Sequence, residues 1–296
     1  MSGLLRNLQV RSLTVGQWAV LWEHDPLFDP FAYTIQVLRS ESPAGPFEQV
    51  SGEFENTTLW LDASAPALNQ VAKIYYVVRL REKATDQLIE FGPVEPGEAP
   101  DLVAREIRSH ITHLMQEFAG VRSWVFPIRM TGMRCPTCWS KKLGKRTLSG
   151  CLQCYDTGFA RGYMTPIETW IQVDPANKRP QHGAVGTVVA TNTTARLADW
   201  PPLKPMDVIV DGTNARWRVV KVTQTEHGRN TVHQELELHE IDHSDIVYSL
   251  PVVEGMEQLR GLQVTSPRNR TNPYDLETTE PDLTDLFTLY PGLQRI

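Results

Sequence analysis

The chain has 296 residues and a net charge of −6, with 41% hydrophobic, 8% aromatic and 22% charged residues. This composition is close to the globular average and excludes wholesale disorder or a fibrous repeat, while the length predicts two or three folding units. The acidic balance argues against a protein that coats nucleic acid, and no apolar run is long enough for a membrane span or a secretory signal. We therefore expect a protein that is made in the cytoplasm and contacts no membrane.

Residues 1–99 show the alternation of apolar and polar residues that is typical of antiparallel strands. The expected strands cover 18–22, 33–39, 58–61 and 74–80, with Pro-rich turns between them, and this spacing predicts a β-sandwich. Trp22, the Pro46-Phe47 turn and Tyr75-Tyr76 give the region a resemblance to fibronectin type III domains. The resemblance implies a spacer or adhesion module in which these residues only pack the core.

Residues 100–127 are predicted to form an amphipathic helix and a linker, because the apolar period changes there from two to about 3.6. Asp101 stands near the start and Gly120 near the end of this helix. The expected buried stripe is Val103, Ile107, His110 or Ile111, Leu114 and Phe118. His110 and His113 could share a metal ion, but without a third ligand we interpret them as ordinary helix residues.

All four cysteines lie in a predicted module of residues 128–165, in the pattern C-x2-C-x12-C-x2-C. Two such knuckles can supply four thiolates to a tetrahedral zinc ion at about 2.3 Å, and the short loop between them needs a metal in place of a core. The sequence therefore predicts a structural zinc site with the ligands Cys135, Cys138, Cys151 and Cys154. The alternatives are reduced or disulfide-linked cysteines and redox chemistry. A closed four-thiolate site has no open position for water, so we predict that it stabilises and does not catalyse.

The loop between the knuckles is basic from Lys141 to Arg146. Together with Trp139 and Tyr155 it could bind phosphates and stack on bases, as in a zinc-ribbon nucleic-acid-binding protein. We favour the alternative that both aromatic rings cover the metal site. The second knuckle also resembles those of the DnaJ cysteine-rich domain, which has four such repeats where this chain has two.

Residues 166–250 return to a β pattern and are predicted to form a small barrel. The expected strands cover 169–173, 186–190, 207–210, 215–222 and 231–238, divided by Pro, Asn, Asp and Gly turns. Asp211-Gly212 is expected to make a tight hairpin between the third and fourth of these strands.

The segment from His239 to His243, HEIDH, matches the H-E-x-x-H motif of zincin metalloproteases. That motif needs both imidazoles on one face of a helix, with the glutamate beside the zinc-bound water. Here the residues from Val232 to Leu238 alternate as in a strand. We interpret the match as coincidental and predict that the chain has no catalytic residue and is not an enzyme.

Residues 251–296 are polar and rich in Pro, Thr, Asn and Asp, which predicts an extended arm that lies along a neighbouring subunit or stays free. The arm carries an acidic stretch, formed by Asp275, Glu277, Glu280, Asp282 and Asp285. The region from Arg129 to Tyr155 has no acid but six basic residues: Arg129, Arg134, Lys141, Lys142, Lys145 and Arg146. We predict that the two stretches pair between subunits, with two ordinary solvated faces as the alternative.

Two features resemble the neck proteins of tailed bacteriophages, which connect the head to the tail. Residues 205–212 and 217–222 are similar to a hairpin in the small β-barrel of head-closure proteins, and the knuckles followed by residues 157–163 resemble phage structural proteins with the same order of elements. The resemblance covers about residues 128–250. It implies a virion protein in which the zinc module braces subunit contacts and the sandwich projects outward.

The resemblance also implies the partners. They are further copies of the chain in a homo-oligomeric ring, the portal and tail or other neck proteins, and packaged DNA in transient contact. A tail or baseplate accessory protein would share these features and differ only in its position in the particle.

Overall fold

A computed structural model describes residues 4–14, 17–64, 73–96, 102–174, 177–183, 186–228 and 230–251. The chain is mainly β, as predicted. The predicted arm at 251–296 with its acidic stretch lies outside the described residues, apart from Pro251, and so does Asp101. No helix in the described ranges is both long and apolar enough to span a bilayer.

Among the described residues of the amino-terminal region, seven strands form two antiparallel sheets. They are β1 (Leu5–Thr14), β2 (Gln17–His24), β3 (Tyr33–Ser40), β4 (Glu48–Gln49), β5 (Leu59–Asp62), β6 (Tyr75–Glu82) and β7 (Leu88–Val94). One sheet has the order β1-β2-β5 and the other the order β4-β3-β6-β7. Alternate side chains of both sheets meet in one hydrophobic core, because successive residues of a strand point to opposite faces.

Trp22 and Tyr76, which carry the fibronectin resemblance, are both buried in this core. The indole N–H of Trp22 donates to the carbonyl of Thr57 at 3.0 Å. The hydroxyl of Tyr76 donates to the carboxylate of Asp62 at 2.8 Å. Both residues therefore pack the core and satisfy their polar atoms, while the relationship to fibronectin type III domains stays a prediction.

Helix α1 (Leu102–Leu114) continues as a π-helical turn, Met115–Ala119, and the chain leaves it at Gly120. The predicted buried stripe is wrong, because Leu114 and Phe118 are 48% and 75% exposed. The helix instead buries Ala104, Arg108 and Met115. The guanidinium of Arg108 donates hydrogen bonds to backbone carbonyls of β1 and of the barrel, so this side of the helix faces the protein.

The remaining strands in the described ranges are β8 (Val121–Phe126), β9 (Trp139–Ser140), β10 (Lys145–Arg146), β11 (Ile167–Val173), β12 (Asn177–Gly183), β13 (Gly186–Ala198), β14 (Val208–Asp211), β15 (Arg216–His227) and β16 (Asn230–Glu240). Strands β11, β8, β14, β15, β16 and β13 pair in this order, and β11 also pairs with β13, which closes a six-stranded barrel. Strand β12 extends the sheet beside β13. The predicted barrel is confirmed. Strands β14 and β15 pair as a hairpin, but the predicted tight turn at Asp211-Gly212 is wrong, because Asp211 still lies in β14 and its N–H donates to the carbonyl of Ala215.

One barrel strand, β8, lies in the range predicted to be helix and linker. Its three consecutive residues Trp124, Val125 and Phe126 are all buried. Val125 faces the barrel core, whereas Trp124 and Phe126 join a second cluster with Tyr163 and Leu250. A strand that is buried on both faces lacks the alternation that predicts strands from sequence.

Candidate metal centre

Each Cys-x2-Cys pair of the cysteine module, residues 128–165, forms the same backbone turn. The N–H of Trp139 donates to the carbonyl of Cys135 at 3.1 Å, and the N–H of Tyr155 donates to the carbonyl of Cys151 at 2.8 Å. The residue after the second cysteine therefore closes the turn in both knuckles. The two turns bring the sulfurs of both pairs into one cluster.

The four sulfurs form a buried group of the size that one metal ion requires. The Sγ atoms of Cys135, Cys138, Cys151 and Cys154 all lie within 4.8 Å of one another. The distance is 3.8 Å between Cys135 and Cys151 and 3.3 Å between Cys138 and Cys154. Bonds of about 2.3 Å to a tetrahedral ion separate the sulfurs by about 3.8 Å, whereas a disulfide holds them at about 2.05 Å. The four cysteines are free, and their arrangement fits a single bound metal ion.

Burial makes these thiols difficult to ionise without a cation. Desolvation raises the pKa of Cys138, and the neighbouring thiol of Cys154 raises it further. Desolvation also raises the pKa of Cys154, although the N–H of Gly158 donates to its sulfur. For Cys135, desolvation is outweighed by the N–H groups of Cys138 and Thr137, which lower its pKa. A divalent cation would supply the positive charge that allows four buried thiolates to form together.

Two glycines allow the chain after the second knuckle to pack closely against the module. The carbonyl of Gly158 accepts a hydrogen bond from the N–H of Cys135 at 3.0 Å. Gly162 has a φ of +65°, and a Cβ at this position would collide with the carbonyl of Cys154. A left-handed conformation beside a backbone oxygen suits only glycine. A larger residue at 162 would therefore displace the second knuckle from the sulfur cluster.

The aromatic residues of the module are used for packing. The guanidinium of Arg134 lies over the ring of Trp139 at 4.1 Å and over the ring of Phe159 at 4.0 Å. The ring of Tyr155 lies 6.2 Å from that of Tyr163. These contacts hold both rings against the protein, which argues against stacking on bases. That the two rings cover the metal site stays a prediction.

Asp156 connects the second knuckle to the basic loop through hydrogen bonds and an ion pair. Its carboxylate accepts hydrogen bonds from the N–H groups of Gly150 at 3.0 Å and Cys151 at 3.1 Å, and it lies 3.4 Å from Arg146. Burial opposes its ionisation, but these two N–H groups and the Arg146 charge hold its pKa below the ordinary value. The charge of Arg146 is therefore balanced within the module.

Arg129 is wrongly predicted to be part of a basic surface, because it is fully buried between the module and the sandwich. Its Nη1 lies 3.2 Å from Nδ1 of His24, and its Nη2 donates to Oδ1 of Asn56. Asn56 in turn donates to the carbonyl of Tyr163 at 2.8 Å. Burial, and then the charge of Arg129, lower the pKa of His24 to about 3, so its imidazole is neutral at neutral pH. No sequence signal distinguishes Arg129 from the other basic residues of its stretch.

A cavity of about 150 Å³ lies where the sandwich, helix α1 and the barrel meet. At this junction Nε of Arg108 is 3.3 Å from Asp199, and the same guanidinium donates to the carbonyls of Ser12 and Thr231 at 2.8 and 2.6 Å. The described residues that line the cavity include no histidine, cysteine or serine. The cavity therefore offers no nucleophile paired with a histidine base, and Arg108 serves to join the three units.

The HEIDH segment has no helical geometry. Strand β16 extends to Glu240, so the first histidine lies in a strand and the second in the turn that follows. Nδ1 of His239 lies 2.8 Å from Oδ1 of Asn192, and the ring of His243 packs on that of Tyr248 at 4.5 Å. The local contacts of both imidazoles account for their positions without a metal.

The histidines of helix α1 also have ordinary surroundings. His110 lies 3.8 Å from Glu106, and the ring of His113 contacts Phe118 edge-on. Within the described part of the chain, the four cysteines are the one cluster of three or more His, Cys, Asp or Glu residues that could hold a metal ion.

Comparison of the chain with protein-family models and with curated proteins finds no match. The geometry of the cysteine module and of the barrel beside it is therefore the basis for assigning a function.

Proposed function

We propose that this chain is a structural protein of a tailed-bacteriophage virion, which forms a ring in the neck and docks and seals the junction between portal and tail. The observation that carries the proposal is the closed six-stranded barrel, because the β14–β15 hairpin lies in the part of the chain that resembles head-closure proteins. A closed ring needs two different, complementary surfaces on each copy. The proposal gives the chain no catalytic role.

In this proposal the ion of the cysteine module is zinc. Four thiolates in tetrahedral positions are a ligand set that zinc prefers, and the closed site leaves no position for a substrate or a water molecule. The ion replaces a hydrophobic core for the module. It thereby fixes the segment between the barrel strands β8 and β11, which contacts the sandwich through Arg129.

The contacts between the units support a rigid subunit rather than three domains on flexible linkers. Arg129 and Asn56 join the sandwich to the module, and Arg108 joins the sandwich, the helix and the barrel. In a ring, the barrels would stack around the axial channel while the sandwiches project outward. A rigid subunit suits a seal that must hold its shape against neighbouring rings.

Native mass spectrometry of the purified chain, with metal analysis and electron microscopy of the same sample, tests the proposal. We expect a closed ring with one zinc ion per chain. A ring that contains no metal would contradict the zinc assignment alone. A chain that stays monomeric at all concentrations, and also in the presence of purified portal rings, would contradict the neck function.

Two other functions make different predictions. A tail or baseplate accessory protein would form the same assembly but be found elsewhere in the particle by electron microscopy of virions. A zinc-ribbon nucleic-acid-binding protein is favoured by the exposed basic loop, in which residues 141–146 are all exposed. It predicts binding to duplex or single-stranded DNA that weakens steeply with salt concentration.

A further inference from the structure

The hairpin of β9 and β10 ends in an exposed cluster of positive charge, residues 141–146, here called the basic tip. Every residue from 141 to 150 is exposed. Arg146 has its carboxylate partner in Asp156. Lys141, Lys142 and Lys145 have no ion pair with any described residue, so three ammonium groups stand free on this part of the surface.

The surface around the basic tip is also apolar. Leu143, Leu148 and Leu152 are 59%, 50% and 67% exposed. Isolated exposed leucines are common, but three of them among unpaired lysines make a surface that is both cationic and apolar. Such a surface fits a segment that carries acidic and apolar side chains together.

The chain contains one segment of this composition. Residues 275–290, here called the acidic segment, carry five acids: Asp275, Glu277, Glu280, Asp282 and Asp285. They also carry six apolar side chains: Leu276, Leu283, Leu286, Phe287, Leu289 and Tyr290. No lysine or arginine occurs from residue 271 to residue 294. In charge and in apolar content, the acidic segment complements the basic tip.

The described chain ends close to the cysteine module. Leu250 is buried in the same cluster as Tyr163 and Tyr155, and Tyr155 directly follows the cluster cysteine Cys154. The residues from 251 to 274 can extend to about 80 Å, which allows the acidic segment to reach the tip of its own chain. A tether of this length holds the acidic segment near the basic tip at an effective concentration of about a millimolar. At micromolar protein concentration, binding within the chain is therefore favoured over binding of the same segment from another chain.

We propose that, in the unassembled protein, the acidic segment binds the basic tip of the same chain. Salt links to Lys141, Lys142 and Lys145 hold it there, and its apolar side chains cover Leu143, Leu148 and Leu152. This contact replaces the pairing between subunits that the sequence alone suggests. It is independent of the proposed neck function, since it concerns the free chain.

Zero-length carbodiimide cross-linking of the full-length chain tests the proposal, because the reagent joins only amines and carboxylates that are in contact. A mixture of ¹⁵N-labelled and unlabelled protein distinguishes links within a chain from links between chains. We expect links from Lys141, Lys142 or Lys145 to the acidic segment, all within one chain. The exposed pair Lys221 and Glu237, 3.2 Å apart, serves as the internal control for reactivity.

Charge reversal supplies the matched variants. The triple variant K141E/K142E/K145E should keep the Lys221–Glu237 link and lose the links to the acidic segment, since the tip then carries no amine and like charges face each other. Reversing the five acids to lysine in the same chain should restore links between residues 141–145 and the acidic segment. These substitutions lie on the exposed tip and outside the described fold, so the fold is unaffected.

Three results would overturn the proposal. Links that join labelled to unlabelled chains would assign the acidic segment to a second copy. Absence of links to the acidic segment, with the control link present, would show that the tip is not covered by it. Binding of a duplex oligonucleotide to the tip with no competition from the acidic segment would assign the surface to nucleic acid. A ring in the separate mass-spectrometry experiment would leave the neck function intact in each case.

Discussion

The barrel and the cysteine module lie side by side but are stabilised in different ways. The barrel has a hydrophobic core that includes Val125, Ile171, Leu197, Ile209 and Leu236. The corresponding cluster of the module consists of the four cysteines alone. The difference predicts that this short segment of the chain obtains from a bound ion the free energy that its neighbours obtain from apolar burial.

Loss of the metal should therefore unfold the module and leave the barrel folded. We expect this result from chelation or from Cys138→Ser, since structural zinc contributes on the order of 10 kcal/mol to small zinc-dependent folds. Hydrogen exchange read by mass spectrometry should show lost protection for residues 133–163. The amides of β13, β15 and β16 should stay protected.

Leu236→Ala is the matched control for that experiment. Leu236 is 1% exposed in the barrel core, and its truncation should cost about 2–5 kcal/mol while the metal content stays at one ion per chain. If chelation instead exposed the barrel strands as much as the module, the two regions would form one cooperative unit. The prediction that the module depends on a metal ion and the barrel does not would then be wrong.

The same contrast explains which parts of the fold are predictable from sequence. Barrel strands such as β16 alternate apolar and polar residues, so their positions follow from the pattern alone. The four candidate metal ligands follow from the cysteine spacing. Strand β8 is missed because Trp124, Val125 and Phe126 are consecutive apolar residues that are buried on both faces.

The residues that join the units could not be predicted. Arg108 and Arg129 are charged, yet they are 3% and 0% exposed. Their burial depends on acceptors that are distant along the chain, such as Ser12 and Asn56. A local pattern contains no information about such partners, so composition assigns these arginines to the surface.

His24, at the boundary between the sandwich and the module, should have a smaller effect on stability, and this effect should depend on pH. Its pKa is lowered from 6.5 to about 3, so the neutral form is the stable one in the folded protein. The stability that it contributes is complete above pH 6.5 and is lost as the pH falls toward 3. Each pH unit within this window should reduce the free energy of unfolding by about 1.4 kcal/mol.

The comparison with His24→Gln isolates this effect from the carboxylates. Asp207, whose pKa burial raises to about 6, has the opposite pH dependence, and it is present in both proteins. Hydrogen exchange of β2 and β3 at pH 7 and pH 5 measures the difference in stability between wild type and variant. The wild type should lose about 2 kcal/mol relative to the variant. A constant difference would mean that His24 is not held neutral by Arg129 and its buried position.

Glu240→Ala should have the smallest effect. In a zincin protease this change would abolish catalysis and leave a metal at the two histidines. Here Glu240 ends strand β16, and His239 is already engaged with Asn192. We expect one metal ion per chain in both proteins and a change in the free energy of unfolding within about 0.5 kcal/mol. A second metal ion, lost on mutation of His239 and His243, would show that the strand ending at Glu240 contributes to a metal site and that the cysteine module is not the sole metal-dependent region.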